Sequence, residues 1–341
     1  MKKKTLLILA FFLILGAVLA NNYYQKIFGT AITKEHVLYV TKNSSLVSIK
    51  EELKDYSKNP NTFLWVAARK DFTNPKPGRY ILKEGTSNND LVNMLRSGNQ
   101  TPLKIAFNNQ DTLEKFAGRL STQIAADSAA LLQSFTNEAF LKKHNFTKKS
   151  VLQMFIPNTY EVYWTITPDK FRSKMLAFYN QFWTKNRLQK AKNLNLSKEE
   201  VITLASIVQK ETAQNSERPI VAGLYLNRLK RGIPLQADPT IIYCVKEQKG
   251  QDYVVKRVLT ADLAIKSPYN TYKNRGLPPT LISMPDISAI DGVLNAQKHN
   301  YIYMCASVEK IGYHAFARTL AQHNRNAAKY HNWLNKQHIN R

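Results

Sequence analysis

The sequence predicts an α+β protein with an N-terminal membrane-spanning helix, a small α+β module and a larger mixed α+β domain. Three observations lead to this prediction. Leu6–Ala20 is an unbroken apolar run, strand-like and helical patterns follow one another over residues 35–100, and amphipathic helical patterns with a few short strand-like runs fill residues 101–341. Because 44% of the 341 residues are hydrophobic, we expect packed cores and exclude wholesale disorder.

The first 22 residues form a targeting or anchoring segment. Lys2–Lys4 precede the apolar run, which at 1.5 Å per residue is about 22 Å long, against about 30 Å for a hydrocarbon core. Two interpretations remain open. Val18–Ala20 has the small-residue pattern of a signal-peptide cleavage site, whereas Tyr23 and Tyr24 suit the interface end of a retained anchor. Both place everything after residue 22 outside the cytoplasm.

The small module, residues 35–100, is predicted from strand and helix signals in close succession. A cap at Ser44–Ser45 and a break at Asn59–Asn61 separate two helical patterns, and Gly98 ends a third. The predicted order is a strand at His36–Val40, helices from residue 46 and residue 63, a strand at Arg79–Leu82 and a helix at Asn88–Leu95.

The larger domain, residues 101–341, is predicted to be mostly helical. Helices are expected at residues 112–120, 127–149, 171–188, 197–211 and 216–232, and strands at residues 103–107, 162–164 and 301–304. The chain after Glu309 contains no acidic residue and reads as a basic, polar tail.

Glu211 is the strongest candidate for a catalytic group. Ser197 and Glu200 form a capping box, and the helix that follows has an apolar face on which Glu211 is the last residue. Partial desolvation there raises the pKa of a carboxyl group, as protonation of a poor leaving group requires. The alternative is a boundary carboxylate that pairs with Lys210 or Arg218 or that extends into water.

Three loops combine residue types that suit a carbohydrate site. Asp238 precedes Pro239, which favours an extended conformation and a carboxylate that projects into a cleft, although an ordinary turn cap explains it equally well. Ser267–Tyr272 and Gly276–Pro279 contain aromatics, an amide and rigid prolines. Rings can stack on sugar faces while amides bind hydroxyls, but such loops also occur merely as turns.

The charge limits the choice of partners. Lys and Arg number 49 against 24 Asp and Glu, which gives a formal net charge of +25 and indicates anionic partners. Export of the chain and the lack of nucleic-acid recognition motifs argue against nucleic acid. Wall polymer and anionic lipid therefore remain.

Cysteine and histidine indicate no metal site. Cys244 and Cys305 are too few for a zinc module and leave either one disulfide or two buried thiols. His323, His331 and His338 lack the spacing of a ligand pair on a helix. No cofactor is implied.

An ordered series of short motifs resembles the endolytic murein transglycosylases of the YceG/MltG-like family. The motifs are FIPNTY (155–160), ASIVQKE (205–211), ER (217–218), LNRL (226–229), LQADPTIIY (235–243), YNTY (269–272), GLPP (276–279) and HAF (314–316). Residues 35–100 are similar to the family's LysM-like module, and residues 101–341 to its catalytic domain.

The resemblance implies a membrane-anchored bacterial cell-wall enzyme with no cofactor. It would cleave MurNAc–GlcNAc β-1,4 bonds in glycan strands of peptidoglycan and leave 1,6-anhydroMurNAc ends, with Glu211 as acid and then base. Many relatives carry Glu at the position of Gln209, so Glu211 remains the single candidate acid in this motif. The family is linked to strand termination at the inner membrane, which suggests penicillin-binding proteins as partners.

Substrate-binding residues are expected in the later motifs. These candidates are Gln236, Asp238, Thr240, Asn270, Thr271, Tyr272 and His314. Two rival functions remain open. One is a hydrolytic muramidase with the same acid, in which Asp238 helps to place a water. The other is a wall-binding scaffold without enzymatic activity, which the LysM-like module and the charge support.

Overall fold

The computed structural model describes residues 2–337, a mixture of helices and short strands. The helices are α1 Lys2–Phe28, α2 Leu46–Glu52, α3 Pro60–Arg69, α4 Asn88–Ser97, α5 Leu113–Ser121, α6 Ser128–Phe135, α7 Glu138–Lys143, α8 Pro168–Phe182, α9 Lys185–Asn193, α10 Lys198–Glu211, α11 Arg218–Lys230, α12 Asp238–Lys249, α13 Ile287–Leu294 and α14 Leu320–Lys336. The strands are β1 His36–Val40, β2 Gly78–Leu82, β3 Leu103–Phe107, β4 Asn158–Val162, β5 Tyr303–Ala306 and β6 His314–Ala317. This composition confirms the mixed α+β class.

Helix α1 is longer than the apolar run that predicts it. Its 27 residues span about 40 Å, enough to cross a hydrocarbon core of about 30 Å. Within Lys3–Phe28, the most apolar 18-residue segment has a mean hydropathy of 2.2, and none of that segment is buried in protein. By length and composition α1 is therefore a candidate membrane span.

The first compact unit contains residues 2–105, 122–126 and 160–167 of the described chain. Strands β1 and β2 pair antiparallel, with His36 opposite Leu82 and Val40 opposite Gly78. Helices α2 and α3 lie between these strands in sequence, and α4 follows. Ile32, Leu38 and Phe63 belong to their common core. The predicted order of strand, two helices, strand and helix is confirmed for residues 36–97.

The second compact unit contains residues 106–121, 127–159 and 168–337. Its long helix α10 packs against α11, α12 and α13. Strands β5 and β6 form an antiparallel hairpin with Met304 opposite Phe316, and α14 packs on that hairpin. Strands β3 and β4 form a further two-stranded sheet, and the boundary between the two units falls within both strands.

Two predicted long helices are each divided in the structure. Residues 127–149 form α6 and α7, because the Asn137 side chain accepts a hydrogen bond from the Phe140 N–H and starts a new helix. Residues 171–188 form parts of α8 and α9, because Thr184 caps Arg187 in the same way. Polar side chains that bind the backbone locally can thus interrupt a continuous apolar pattern.

Strand positions and the tail also differ from the prediction. Strand β4 lies earlier than the predicted residues 162–164, and β5 lies later than residues 301–304. The tail described as merely basic contains α14, whose first turn is capped by the Thr319 hydroxyl. The loop predicted around Asp238 and Pro239 is instead the first turn of α12.

Candidate functional site

Helix α10 carries Glu211 to the wall of a pocket. The predicted capping box is present: the Ser197 hydroxyl accepts from the Glu200 N–H, and the Glu200 carboxylate accepts from the Ser197 N–H. Residues 201–208 are all buried, which fixes the helix within the domain. Glu211 is its last residue, half-buried, and the chain leaves the helix through the extended residue Thr212.

The surroundings of Glu211 favour its protonated form. The Tyr225 hydroxyl donates a 2.6 Å hydrogen bond to Glu211 Oε1. Burial raises the pKa of Glu211 to about 7, although the Tyr225 hydrogen bond and the charge of His314 act in the opposite direction. The negative charge of Asp238 raises it further. A substantial fraction of Glu211 is therefore protonated at neutral pH, as the sequence predicts.

The two basic residues considered as ion-pair partners of Glu211 pair with other carboxylates in the structure. Lys210 Nζ lies 2.7 Å from Asp111 Oδ1, and the Arg218 guanidinium lies 2.6 Å from Asp286 Oδ1. The Gln209 side chain, a neutral amide, has no acid–base role, and its oxygen accepts a hydrogen bond from the Asp286 backbone N–H.

Glu217 is a second buried carboxylate in this region, and it binds His314. Its Oε1 accepts from the His314 backbone N–H at 2.7 Å, and its Oε2 lies 2.8 Å from His314 Nδ1 and from the Thr212 hydroxyl. Burial opposes ionisation, but these hydrogen bonds outweigh it and lower the pKa of Glu217. Burial lowers the pKa of His314, because it also disfavours the charged imidazole. The hydrogen bond to Glu217 and the negative charge of Glu217 outweigh burial, so the pKa of His314 is raised overall.

The opposite wall of the pocket comes from the loop before α12 and from Tyr272. The Tyr272 hydroxyl donates to Asp238 Oδ1, and Arg228 donates to the side-chain oxygen of Gln236. Gln236 has a positive φ of 52°, which turns the chain into α12. Ala237, not Asp238, is the extended residue here, because Asp238 belongs to the first helical turn, where Pro239 needs no N–H partner.

Thr240, Asn270 and Thr271 lie beneath this wall. All three are almost fully buried. The Thr240 and Thr271 hydroxyls are 2.8 Å apart, and the Asn270 amide donates to the carbonyls of Leu263 and Ile265. These residues hold the start of α12 against the loop that contains Asn270 and Thr271, so any effect on a ligand would be exerted through the residues above them.

The pocket has a volume of about 340 Å³. It brings together Glu211, Gln236, Asp238, Tyr272 and His314 from the predicted set. The other lining residues are Leu224, Tyr225, Arg228, Leu235, Tyr303, Met304, Cys305, Ala306 and His323. A protonated carboxyl, a carboxylate and a histidine around one recess can perform proton transfer on a polar substrate.

Several polar residues of the site have no signal in the sequence beyond a family motif or a helical pattern, among them Glu217, Tyr225 and Arg228. Glu217 and Arg228 occur in the family motifs ER and LNRL, and Tyr225 lies within the helix predicted at residues 216–232. The Tyr225 ring is indeed buried, and only its hydroxyl reaches Glu211. For Glu217 the signal was its position in the ER motif, but its partner His314 lies 97 residues away.

Both cysteines are free thiols in the structure. Cys244 is buried in α12 and Cys305 is half-buried beside the pocket. Among residues 2–337, no group of three or more His, Cys, Asp or Glu side chains is arranged to hold a metal ion. His338 lies outside the described residues.

Comparison with known proteins gives one family. The sequence profile of the YceG-like family matches residues 38–329. A Streptococcus pneumoniae protein named endolytic murein transglycosylase is 29% identical over 300 residues, which cover 79% of this chain and 53% of that protein. This chain therefore spans about half the length of that relative.

Two further relatives match over more of their own length. A Bacillus subtilis protein of the same name is 27% identical over 308 residues, which cover 85% of this chain and 83% of that protein. The 2.6 Å crystal structure of a YceG-like protein from Listeria monocytogenes matches with a TM-score of 0.57 and 25% identity, covering 86% of this chain and 98% of the other.

Proposed function

Because this chain belongs to the YceG-like family, we propose that it is an endolytic lytic transglycosylase of peptidoglycan. Its reaction is cleavage of the β-1,4 bond between MurNAc and GlcNAc within glycan strands. Relatives named endolytic murein transglycosylases support this proposal. The observation that carries the proposal is the Glu211 carboxyl group, which lies at the wall of a pocket and has a pKa of about 7.

In the first step Glu211 acts as a general acid. Tyr225 donates to Oε1, so the proton is best accommodated on Oε2. Oε2 gives its proton to the glycosidic oxygen. At the same time the bond between the glycosidic oxygen and MurNAc C1 breaks. The GlcNAc side leaves as an alcohol, and positive charge develops at C1.

In the second step Glu211, now a carboxylate, acts as a general base. It accepts the proton of the MurNAc C6 hydroxyl while O6 forms a bond to C1, which gives a 1,6-anhydro end and restores the protonated acid. No water is consumed. Since the nucleophile belongs to the substrate, the reaction needs no second carboxylate of the kind that ordinary glycosidases use.

The remaining wall residues are proposed to position the sugars. Gln236, Asp238, Tyr272 and His314 offer hydrogen-bonding groups around the same recess as Glu211. Thr240, Asn270 and Thr271 would contribute by fixing the loops that carry that wall. No cofactor takes part in this proposal.

The cellular setting is proposed from α1 and the charge. We infer that α1 anchors the protein in the inner membrane by a single pass, with the LysM-like module at residues 35–100 and the catalytic domain at residues 101–341 on the extracytoplasmic side. A net charge of +25 favours association with acidic wall polymer and anionic lipid. Termination of new glycan strands beside penicillin-binding proteins is the role we propose there.

A second candidate reaction is hydrolysis by a muramidase. It is favoured by Asp238, whose carboxylate lies in the same pocket as Glu211 and could orient a water molecule. The two reactions differ in their products, because hydrolysis leaves a reducing MurNAc end and transglycosylation leaves an anhydro end.

The test is mass spectrometry of purified peptidoglycan after digestion by the full chain and by Glu211→Gln. We expect anhydroMurNAc ends from the wild type and a loss of activity of about 10²–10⁴-fold in the variant, since general acid–base catalysis contributes about that much. Glu199→Gln is the matched control, because Glu199 is exposed on the same helix. Reducing ends alone would favour hydrolysis, and full activity of Glu211→Gln would refute the assignment of Glu211.

A further inference from the structure

A cluster of aromatic and basic side chains surrounds the C-terminal end of α1. It consists of Tyr23 and Lys26 on α1 and Trp65 and Arg69 on α3. The rings of Tyr23 and Trp65 are in edge contact at 5.2 Å. The Arg69 guanidinium carbon lies over the Trp65 ring, 3.4 Å from the ring centroid, and Lys26 Nζ lies 5.6 Å from the same centroid. Arg69 and Lys26 are exposed, and Trp65 is partly so.

The end of α1 is part of the same folded unit as α3. Asn88, 4% exposed, donates hydrogen bonds to the Lys26 carbonyl at 3.0 Å and to the Thr62 hydroxyl at 2.9 Å. Four residues beyond α1, Ile32 is fully buried in the core of this unit. The depth of α1 in a bilayer therefore also determines the depth of α3.

The length of the apolar run determines where α1 would leave the bilayer. Leu6–Ala20 spans about 22 Å, whereas a hydrocarbon core of about 30 Å needs about 20 helical residues. A span that starts at Thr5 therefore ends close to Tyr24. This places Tyr23 at the boundary between acyl chains and headgroups, where tyrosine and tryptophan are enriched.

We propose that Trp65 and Arg69 lie in the headgroup layer of the membrane and bind the phosphates of anionic phospholipids. The inference rests on the proposed retention of α1 as an anchor. Trp65, in contact with Tyr23, is at interfacial depth, and its ring meets the glycerol and upper acyl region. Arg69 and Lys26 supply positive charge at the level of the phosphates, where anionic headgroups attract basic side chains.

The test uses the full chain in nanodiscs of phosphatidylcholine and phosphatidylglycerol, with lipids brominated near the headgroup as fluorescence quenchers. We expect these lipids to quench most of the Trp65 emission, measured as the difference between the wild type and Trp65→Phe. Trp164→Phe is the matched control and should retain the quenched component. Arg69→Gln should reduce the quenching difference between nanodiscs with and without phosphatidylglycerol.

Two results would overturn the inference, and they are distinguishable. Resistance of the protein to alkaline extraction from membranes reports whether α1 is inserted. If α1 is inserted but Trp65 is not quenched, the headgroup contact is wrong while the anchor stands. If the protein is extracted, both the anchor and the headgroup contact are wrong.

Discussion

Glu211 at the end of α10 and Glu217 at the start of α11 are six residues apart, and the protein treats them in opposite ways. Glu211 is half-buried and Glu217 is almost fully buried, yet the pKa of Glu211 is raised to about 7 and that of Glu217 is lowered. Glu211 accepts one hydrogen bond from a neutral tyrosine. Glu217 accepts two from His314 and one from Thr212.

The difference shows that burial alone does not decide the charge of a carboxyl group. Desolvation disfavours the ionised form at both positions, and hydrogen-bond donors decide whether that cost is offset. One short segment thus holds an acid that can release a proton near neutral pH beside an anion that stays ionised. The anion fixes His314, which lines the same pocket as the acid.

Removal of the Glu217 carboxylate should have the largest effect on stability. Glu217→Ala leaves His314 and the Thr212 hydroxyl without their partner in a buried setting, and breaking such a pair costs about 3–5 kcal/mol. Chemical unfolding of the detergent-solubilised chain measures this. Glu199→Ala, on the exposed face of α10, should change the free energy of unfolding by less than about 0.5 kcal/mol. Equal effects of both variants would remove the contrast between the two carboxyls.

Replacement of Glu211 should have the opposite effect, and only at higher pH. The pKa of Glu211 is about 7 in the folded protein and about 4.5 in an unfolded chain, so the wild type loses stability as pH rises between these values. Glu211→Gln does not pay this cost. Between pH 4 and pH 8 the variant should gain about 3 kcal/mol relative to the wild type. A difference independent of pH would mean that the folded protein does not shift this pKa.

The smallest effect is expected at Tyr225. In Tyr225→Phe the ionised form of Glu211 loses a donor, so its pKa should rise by about one unit, as expected for a hydrogen bond to a charged group. The decline of activity at alkaline pH should move upward by the same amount. The control is Tyr303→Phe, which changes another tyrosine that lines the pocket and should leave the pH dependence of activity unchanged. A downward movement in Tyr225→Phe would show that the hydroxyl does not stabilise the carboxylate.

The sequence predicted the local features of this region but not its long-range pairs. The capping box of Ser197 and Glu200 and the apolar face of α10 depend on residues within a few turns, so α10 and the environment of Glu211 followed from their spacing. The bond between Glu217 and His314 depends on tertiary structure, because it joins α11 to a hairpin 97 residues later. No local pattern reveals such a contact.

The sequence also does not show which residues of a motif are buried and which line the pocket. YNTY and LQADPTIIY contain polar residues of similar type, but Tyr272 and Asp238 line the pocket whereas Thr240, Asn270 and Thr271 face inward. A polar side chain in such a motif can bind either a ligand or other protein groups, and only the packing of α12 against the loop at residues 267–272 decides between them. Their proposed contribution to binding remains a prediction.

The proposed role of Glu211 as general acid depends on a pKa of about 7, which leaves about half of this carboxyl protonated at neutral pH. The most direct measurement is an NMR titration of the protein with ¹³C-labelled glutamate side chains, in which the Glu211 signal is identified by its loss in Glu211→Gln. We predict a midpoint at about pH 7. A midpoint near 4.5, the ordinary value for a glutamate, would contradict the role of Glu211 as the general acid.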